Sequence, residues 1–194
     1  MIHFDAETHT YTDASAERVV PGVTRILSVL GAYENVPEVA LERKRQIGSD
    51  VHAACHILNT GLLNEVTVSE EIAEYVRAYK TFLKDKQPVC LFSEMPMYSP
   101  DLGFAGTPDF VGEIDGQMAV FDIKTTVRIY PMSGLQLSAY GHLVQSQFDI
   151  KVAKRYTLQL KKDGSYVLFE HDSKEDFINF LACLRVYRFK EINV

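Results

Sequence analysis

Two aspartates and a lysine fall on the two strands of one predicted β-hairpin, where their spacing allows them to hold a metal ion. Asp115-Gly116 separates two β-prone runs and predicts a two-residue turn. In the register that this turn sets, Asp109 lies opposite Asp122. Lys124 follows two residues later and therefore points to the same face of the hairpin as Asp122. We expect the three charged side chains to form one cluster.

A divalent cation would complete such a cluster. Directly opposed residues hold their Cβ atoms about 4.5–5.5 Å apart, and like charges at that separation repel. One lysine does not neutralise two carboxylates, whereas a hard cation such as Mg²⁺ prefers carboxylate oxygens. The pattern therefore predicts a metal beside a lysine. The alternative is an ordinary solvated hairpin face, because one slip in register would separate the two aspartates.

The whole chain has the composition of a soluble globular protein. Of its 194 residues, 46% are hydrophobic and 24% are charged, and a single domain with a buried core is expected. No apolar run approaches the roughly 20 residues that cross a bilayer, and the N-terminal residues lack the pattern of a signal peptide. The cysteines are odd in number and widely spaced: Cys55, Cys90 and Cys183. We therefore expect a cytoplasmic location, without disulfides and without membrane contact.

The charge of the chain excludes one class of function. The net charge is −6, so the chain does not hold nucleic acid by bulk charge alone. Basic residues are nevertheless concentrated in three segments, 43–45, 80–86 and 151–162. Each segment is by default a solvated face. An acidic total is still compatible with nucleic acid, provided that acidic residues gather at a metal site and basic residues line a groove.

The pattern of apolar residues, caps and turns predicts a mixed architecture. Its elements are a hairpin within 2–20, helices over 24–30, 37–47 and 49–59 with a break at Gly48, a helix after the capping-box sequence Thr67-Val68-Ser69-Glu70, strands over 89–98, 104–114 and 117–125, a helix over 134–145, a hairpin of 152–161 with 165–171, and a final helix opened by Ser173 and Asp176. Helices thus come first, followed by the order βββαββα. This order indicates an α/β or α+β fold with a central mixed sheet flanked by helices.

Four short motifs follow one another along the chain. His52 ends the sequence Gly-Ser-Asp-Val-His, and Asp109 ends Gly-Thr-Pro-Asp. After twelve intervening residues comes Asp122-Ile123-Lys124, and a predicted helix then carries Gln136 and Tyr140 at the spacing Gln-x-x-x-Tyr. In this order and on these elements, the motifs resemble those of the PD-(D/E)XK nuclease superfamily. Within it, the chain is most similar to the RecB-like branch of metal-dependent DNA exonucleases, and residues 23–27 resemble the start of small phage-type members.

The resemblance implies a fold, an activity and partners. It implies one nuclease domain over 1–194, with an N-terminal hairpin and helices in 1–47 and a restriction-endonuclease-like core in 48–194. The implied activity is hydrolysis of DNA phosphodiester bonds with Mg²⁺ or Mn²⁺ as cofactor, most simply by an exonuclease of phage-type recombination or DNA repair. Besides DNA, a single-strand annealing or recombination protein is the implied partner.

The resemblance also implies a role for each motif residue at the reaction centre. Asp109, Asp122 and the main-chain carbonyl of Ile123 would bind the metal. A histidine and a glutamate that often accompany them correspond to His52 and Glu94, which would be further ligands. Together with the two aspartates, the lysine that follows Ile123 would be catalytic, because it can orient or deprotonate the attacking water.

Three further residues are expected to contact DNA. Gln136 and Tyr140 are four residues apart and share a helix face, which the resemblance places over the active-site edge. The alternative is a semi-exposed polar pair. Arg155 is expected to contact phosphate, with a salt-bridge partner as the alternative. His56, one turn after His52, is expected to be a neighbour of the site rather than a ligand.

Other functions are compatible with the same residues. A catalytically silent DNA-binding or scaffold subunit could keep the fold, although the intact set of Asp109, Asp122 and Lys124 argues against this. An endonuclease of the same fold would differ only in its products. A glycosidase would use two carboxylates without the adjacent lysine and without a metal, so EDTA separates it from a nuclease.

Overall fold

The computed structural model describes residues 2–5, 8–31, 38–61 and 68–192, with backbone alone for 38–41. Its strands are β1 (Ile2–Asp5), β2 (Thr10–Asp13), β3 (Arg18–Val20), β4 (Val89–Ser93), β5 (Met97–Ser99), β6 (Phe104–Gly106), β7 (Phe110–Ile114), β8 (Gln117–Lys124), β9 (Lys154–Leu160) and β10 (Tyr166–Glu170). Its α-helices are α1 (Val23–Leu27), α2 (Glu38–Asn59), α3 (Glu70–Lys86), α4 (Met132–Phe148) and α5 (Glu175–Ile192), and a 3₁₀ turn over Ser28–Leu30 follows α1.

A mixed five-stranded sheet organises these elements, which confirms the predicted fold class. Its strand order is β10-β9-β8-β7-β4. The β8–β9 pair is parallel and is joined through α4, whereas the other neighbours are antiparallel. Two small sheets, β1-β2-β3 and β5-β6, lie outside it. The N-terminal sheet is therefore a three-stranded meander and not the single hairpin that the turn signals predict.

Alternation along β8 assigns each face of the sheet to a different layer of helices. Ala119, Phe121 and Ile123 pack in a core with residues of α2 and α3. Val120, between them, packs in a second core with residues of α1, α4 and α5. Because side chains alternate along a strand, Asp122 and Lys124 belong to the α4 face. Both therefore lie beside the helix that carries the Gln-x-x-x-Tyr motif.

Some of the predicted boundaries differ from those in the structure. Helix α2 runs through Gly48 without a break, since an interior glycine costs only about 1 kcal/mol relative to alanine and its neighbours favour the helix. The predicted strands 89–98 and 104–114 are each divided in two. The divisions fall near Pro96 and Pro108, residues that cannot donate a ladder hydrogen bond. Thr67, part of the predicted capping box, lies outside the described residues, and α3 begins after Ser69.

Over the described part of the chain, no helix combines the length and the apolar character that are needed to span a membrane.

Candidate active site

The β7–β8 hairpin has the register that its turn predicts. Asp115 and Gly116 both have positive φ, 49° and 75°, as a two-residue turn of type I′ requires. The paired residues run outward from the turn, with the last pair formed by Phe110 and Phe121. The next step outward is Asp109 with Asp122. The hairpin therefore brings the two aspartates to the same end of neighbouring strands.

Glu94 reaches the site because β4 ends beside the start of β7. Its φ is +52°, an uncommon conformation for a residue other than glycine. Its main-chain N–H donates to the main-chain oxygen of Asp109 over 3.3 Å. The break in the predicted strand 89–98 is thus the feature that turns Glu94 toward Asp109.

His52 joins these residues from α2. Its Nε2 donates to the main-chain oxygen of Ile123 over 2.9 Å. Its Nδ1 lies 3.2 Å from Oδ1 of Asp109 and 3.7 Å from Oε1 of Glu94. The side chains of His52, Glu94 and Asp109 offer metal-ligating atoms that all lie within 4.8 Å of one another. Three separate elements therefore converge on one potential metal centre.

The electrostatics of this cluster favour an ion pair. Burial lowers the pKa of His52, but the carboxylates of Asp109 and Glu94 outweigh burial and raise that pKa well above its usual value. Burial acts in the opposite direction on Asp109, whose pKa is nevertheless held below its usual value by His52 and by the N–H of Ile123. That N–H donates to Oδ2 of Asp109 over 2.5 Å. His52 is thus a second basic group beside Lys124, and Glu94 is a third carboxyl group beside Asp109 and Asp122.

Asp122 and Lys124 form the other half of the site. Nζ of Lys124 lies 2.9 Å from Oδ1 and 2.8 Å from Oδ2 of Asp122, and only the contact with Oδ1 has hydrogen-bond geometry. Asp122 is 1% exposed, and burial raises its pKa even though Lys124 opposes the shift. Within the described residues, Oδ2 of Asp122 is a buried oxygen without a hydrogen-bond donor. The Lys124 ammonium offsets the charge of this oxygen over 2.8 Å, and its hydrogen-bonding capacity stays open to a further ligand.

This set of donor atoms fits a divalent cation. The potential ligand atoms that lie close together belong to His52, Glu94 and Asp109. Asp122, also predicted to be a ligand, is not among them, and its Oδ2 lies 2.8 Å from Lys124. The main-chain oxygen of Ile123 lies on the His52 side of the same cluster. Carboxylate and carbonyl oxygens suit hard cations such as Mg²⁺ and Mn²⁺, and an imidazole nitrogen is a common additional ligand. The residues that the motifs predict therefore include a chemically consistent cation site.

A half-buried hydrogen-bond network behind the site has no counterpart in the motifs. The hydroxyl of Ser93 donates to the main-chain oxygen of Asp109 over 3.1 Å. It lies 3.0 Å from Nδ1 of His56 and accepts from Nδ2 of Asn59 over 3.1 Å. Asn59 in turn accepts from the hydroxyl of Tyr79 over 2.5 Å. His56 thus contacts Ser93 and lies next to the potential metal ligands, which is where the sequence places it.

Gln136 and Tyr140 lie together on α4, buried beside the site. Nε2 of Gln136 donates to the hydroxyl of Tyr140 over 3.0 Å. The Tyr140 ring packs against Gly106, where an added Cβ would lie only 2.8 Å from Cε1 of the ring. Gln136 also lines a cavity of about 160 Å³ together with Lys124 and Arg128. Of the pair, Gln136 is the one that reaches a cavity shared with the lysine.

Arg155 has a structural environment. Its guanidinium donates to the main-chain oxygen of Ser173 over 2.7 Å and lies 3.2 Å from Oδ2 of Asp176, near the start of α5. This is the salt-bridge arrangement that the sequence left open as the alternative to phosphate binding. The ion pair fastens α5 to β9, and a contact between Arg155 and DNA stays a prediction.

Gln159 is a further buried polar residue near the site. It pairs in register with Lys124 across the parallel β8–β9 contact. Its Nε2 donates to the main-chain oxygens of Thr126 and Val127 over 2.6 and 2.9 Å. These bonds hold the chain directly after Lys124. The only sequence signal was a polar residue within a strand pattern, which does not distinguish a buried from an exposed position.

Comparisons with known proteins give low similarity. No protein-family model and no curated protein matches this chain. Among solved structures, a protein from Eubacterium rectale that is provisionally named an exonuclease aligns with a TM-score of 0.49 and 15% identity, over 88% of this chain and 74% of that chain. An alkaline exonuclease from Laribacter hongkongensis aligns with a TM-score of 0.46 and 12% identity, over 87% and 86% of the two chains. Its complex with dAMP gives 0.44 and 13%, over 88% and 87%. At these scores we infer the role of the site from its geometry and motifs alone.

Proposed function

We propose that this chain is a metal-dependent deoxyribonuclease, and specifically an exonuclease of the RecB-like type. The observation that carries the proposal is the convergence of His52, Glu94 and Asp109 beside the Asp122–Lys124 pair. Carboxylates alone would serve many hydrolases. A buried carboxylate that holds a lysine next to a potential cation site is suited to a substrate whose negative charge increases during the reaction.

The ligands of the metal would be the oxygens of Glu94, Asp109, Asp122 and Ile123, with His52 as the nitrogen donor in its neutral form, so metal binding would release the proton that its ion pair favours. Mg²⁺ or Mn²⁺ would neutralise phosphate charge and lower the pKa of a bound water. The protein contributes the positions of these groups. The carboxylate of Asp109 accepts from the main-chain N–H of Ile123, and its main-chain oxygen accepts from the main-chain N–H of Glu94. Main-chain hydrogen bonds therefore fix the position of Asp109.

Lys124 would act directly on the reacting groups. Its side chain is 29% exposed and lines the active-site cavity of about 160 Å³, whereas its Asp122 partner is buried. Asp122 therefore holds the ammonium in place from behind, while the cavity side stays accessible to a substrate. From there Nζ can donate a hydrogen bond to a phosphate oxygen or orient the attacking water.

The cavity would receive the nucleotide next to the cleaved bond. Gln136 lines it from α4 and supplies a polar amide, while Thr24 and Ser28 line it from the N-terminal helical segment. The preference for ends over internal sites, and a place in recombination or repair with an annealing protein as partner, depend on the motif resemblance. Each of these belongs to the proposal.

Metal dependence tests the proposal against a metal-free glycosidase. Purified protein would be incubated with linear duplex DNA in Mg²⁺, in Mn²⁺ and in EDTA. We expect loss of DNA with either metal and none in EDTA. Asp109→Asn is the matched variant, because it keeps the size of the side chain and removes the charge that a cation requires. Cleavage that persists in EDTA, or that is unaffected by Asp109→Asn, would contradict the proposed site.

A further inference from the structure

Eight of the nine described arginines, all except the exposed Arg185, differ in what orients their guanidinium groups. Four have a carboxylate oxygen within 3.6 Å: Arg43, Arg45, Arg77 and Arg155. Neutral groups orient three others. Arg18 donates to the hydroxyl of Tyr98 over 3.1 Å, Arg188 donates to the main-chain oxygen of Leu102, and Arg128 lies 5.6 Å from the centre of the Tyr130 ring. Within the described residues, these three have no carboxylate within 4 Å.

Arg25 is intermediate between the two groups. Its guanidinium lies over the Tyr187 ring at 5.9 Å and 3.9 Å from Oε1 of Glu191. More than half of each charged side chain is exposed, and exposed ion pairs of this length contribute little free energy. A phosphate could therefore replace Glu191 as the partner of Arg25 at small cost.

These arginines are also neighbours in space, along α1. Arg18, Arg25 and Arg188 line one cleft of about 390 Å³ between the N-terminal sheet and α5. Arg25 also lines a second cavity of about 350 Å³. Thr24 lines that second cavity and the active-site cavity, which contains Lys124 and Arg128. The three cavities thus follow one another from the catalytic lysine to the C-terminal part of α5.

We infer that Arg128, Arg25, Arg18 and Arg188, here called the arginine track, bind phosphates of a DNA strand that leaves the active site across α1. The inference rests on the proposed nuclease function and names the path of its substrate. It goes beyond the reacting centre, because no residue of the track other than Arg128 lines the cavity of Lys124.

The physical reason is that a guanidinium held by a neutral group keeps its full positive charge for a ligand. Tyr98 and the carbonyl of Leu102 restrict the side chains of Arg18 and Arg188 without neutralising them, so less conformational entropy is lost on binding. Asp13 pairs in register with Arg18 and attracts it from beyond ion-pair distance, while the Asp13 carboxylate accepts from Ser15 and is hydrogen-bonded to Tyr98. The chain carries a net charge of −6, so a polyanion requires a local row of arginines such as this one, in which only Arg25 has a carboxylate within 4 Å, at 3.9 Å.

The test measures DNA affinity against salt in EDTA, where cleavage cannot occur. A fluorescein-labelled short duplex would be titrated with wild type and with the double variant Arg18→Ser/Arg188→Ser. We expect the variant to bind about tenfold more weakly, with the slope of log Kd against log salt reduced by about 2, since each phosphate contact contributes about 0.9. Arg18→Lys/Arg188→Lys keeps both charges and should keep the slope.

Lys84→Ser/Lys151→Ser is the matched control. It also removes two exposed positive charges, but at the end of the sheet where β4 and β9 begin, opposite Lys124. If the control weakens binding as much as the arginine variant, or if the arginine variant keeps the wild-type slope, the track is wrong.

A second measurement distinguishes a loss of DNA binding by the arginine track from a loss of phosphodiester hydrolysis. Hydrolysis of bis(p-nitrophenyl) phosphate with Mn²⁺ requires only the reacting centre, so the arginine variant should hydrolyse it at the wild-type rate. A wild-type protein that cleaves neither this ester nor DNA would contradict the proposed function. A wild-type protein that cleaves both, with an unchanged salt slope in the arginine variant, would contradict the track alone.

Discussion

The hydroxyl of Ser93 donates to the main-chain oxygen of Asp109 over 3.1 Å, and this single bond ties the aspartate to two helices. Ser93 accepts from Asn59 of α2, and Asn59 accepts from Tyr79 of α3. Since Glu94 follows Ser93 in the chain, the bond also fixes the start of the segment that carries the second carboxylate. Hydrogen bonds from neutral side chains therefore help to fix the position of the cluster of His52, Glu94 and Asp109.

Ser93→Ala should weaken metal binding more than it weakens the fold. Partners that orient metal ligands typically contribute 10- to 100-fold in metal affinity, so we expect the Kd for Mn²⁺ to rise at least tenfold. The unfolding free energy in EDTA should fall by about 1–3 kcal/mol, because Asn59 and Asp109 lose a buried partner. Calorimetric titration with Mn²⁺ measures the first and denaturant unfolding the second. Ser146→Ala, on the exposed face of α4, is the control. An unchanged Kd would show that Ser93 does not position the ligands.

Removing Lys124 should destabilise the protein, because Asp122 is buried beside it. Lys124→Ala leaves the carboxylate of Asp122 buried without its cation, and we expect a loss of about 2 kcal/mol in EDTA, below the 3–5 of a fully buried pair because Lys124 is partly exposed. Adding Asp122→Asn to this variant removes the unpaired charge and should restore most of the loss. Urea unfolding of the two single variants and the double variant gives the coupling energy. Additive effects would mean that the pair is not an energetic unit.

Gly48→Ala should stabilise the protein, because α2 is continuous at this position. A Cβ added to Gly48 meets nothing within 4 Å, and alanine is favoured over glycine inside a helix by about 0.5–1 kcal/mol. We expect the free energy of unfolding to rise by that amount, and the unfolding midpoint to rise with it. Gly106→Ala is the contrasting variant, since its Cβ would lie 2.8 Å from the Tyr140 ring, and it should destabilise. A lower midpoint for Gly48→Ala would indicate that the helix is interrupted there after all.

His142 should make stability depend on pH. The ring is stacked against Phe104 and Phe177, and burial lowers its pKa, with Asp101 offsetting part of the shift. Below the unfolded value of about 6.5, the unfolded chain therefore binds the proton more readily than the folded one. The contribution of His142 is complete above that pH and decreases as the pH falls toward the folded pKa. The difference in unfolding free energy between wild type and His142→Gln should follow this trend, and a difference that is constant with pH would contradict it.

Much of the fold could be predicted from local signals. The turn at Asp115-Gly116 fixed the β7–β8 register because both residues favour positive φ, and the order of strands and helices gave the central mixed sheet. The break at Gly48 was wrong for a related reason. A local glycine signal was given more weight than the helix-forming residues on both sides, which outweigh the cost of one glycine.

The site was predictable only in its first layer of residues. His52, Asp109 and Lys124 belong to motifs with fixed spacing, so the sequence could single them out, and their roles stay predictions. Ser93 and Gln159 act through bonds to main-chain oxygens, which any residue provides, and such partners leave no pattern in a single sequence. The lack of a close carboxylate beside Arg18, Arg128 and Arg188 likewise depends on distances between residues that are far apart in the chain.

The most direct test of the central claim compares end-labelled linear DNA with a closed circle of the same sequence, using wild type and Lys124→Gln in Mg²⁺. The glutamine can still donate to Asp122, so the fold is preserved, but it carries no charge. We predict that wild type degrades the linear DNA alone, and that Lys124→Gln is slower by at least about 100-fold, the low end of a general acid–base contribution. Cutting of the circle would make the protein an endonuclease. Equal activity in Lys124→Gln, or no cleavage by wild type, would contradict the claim that this site hydrolyses DNA.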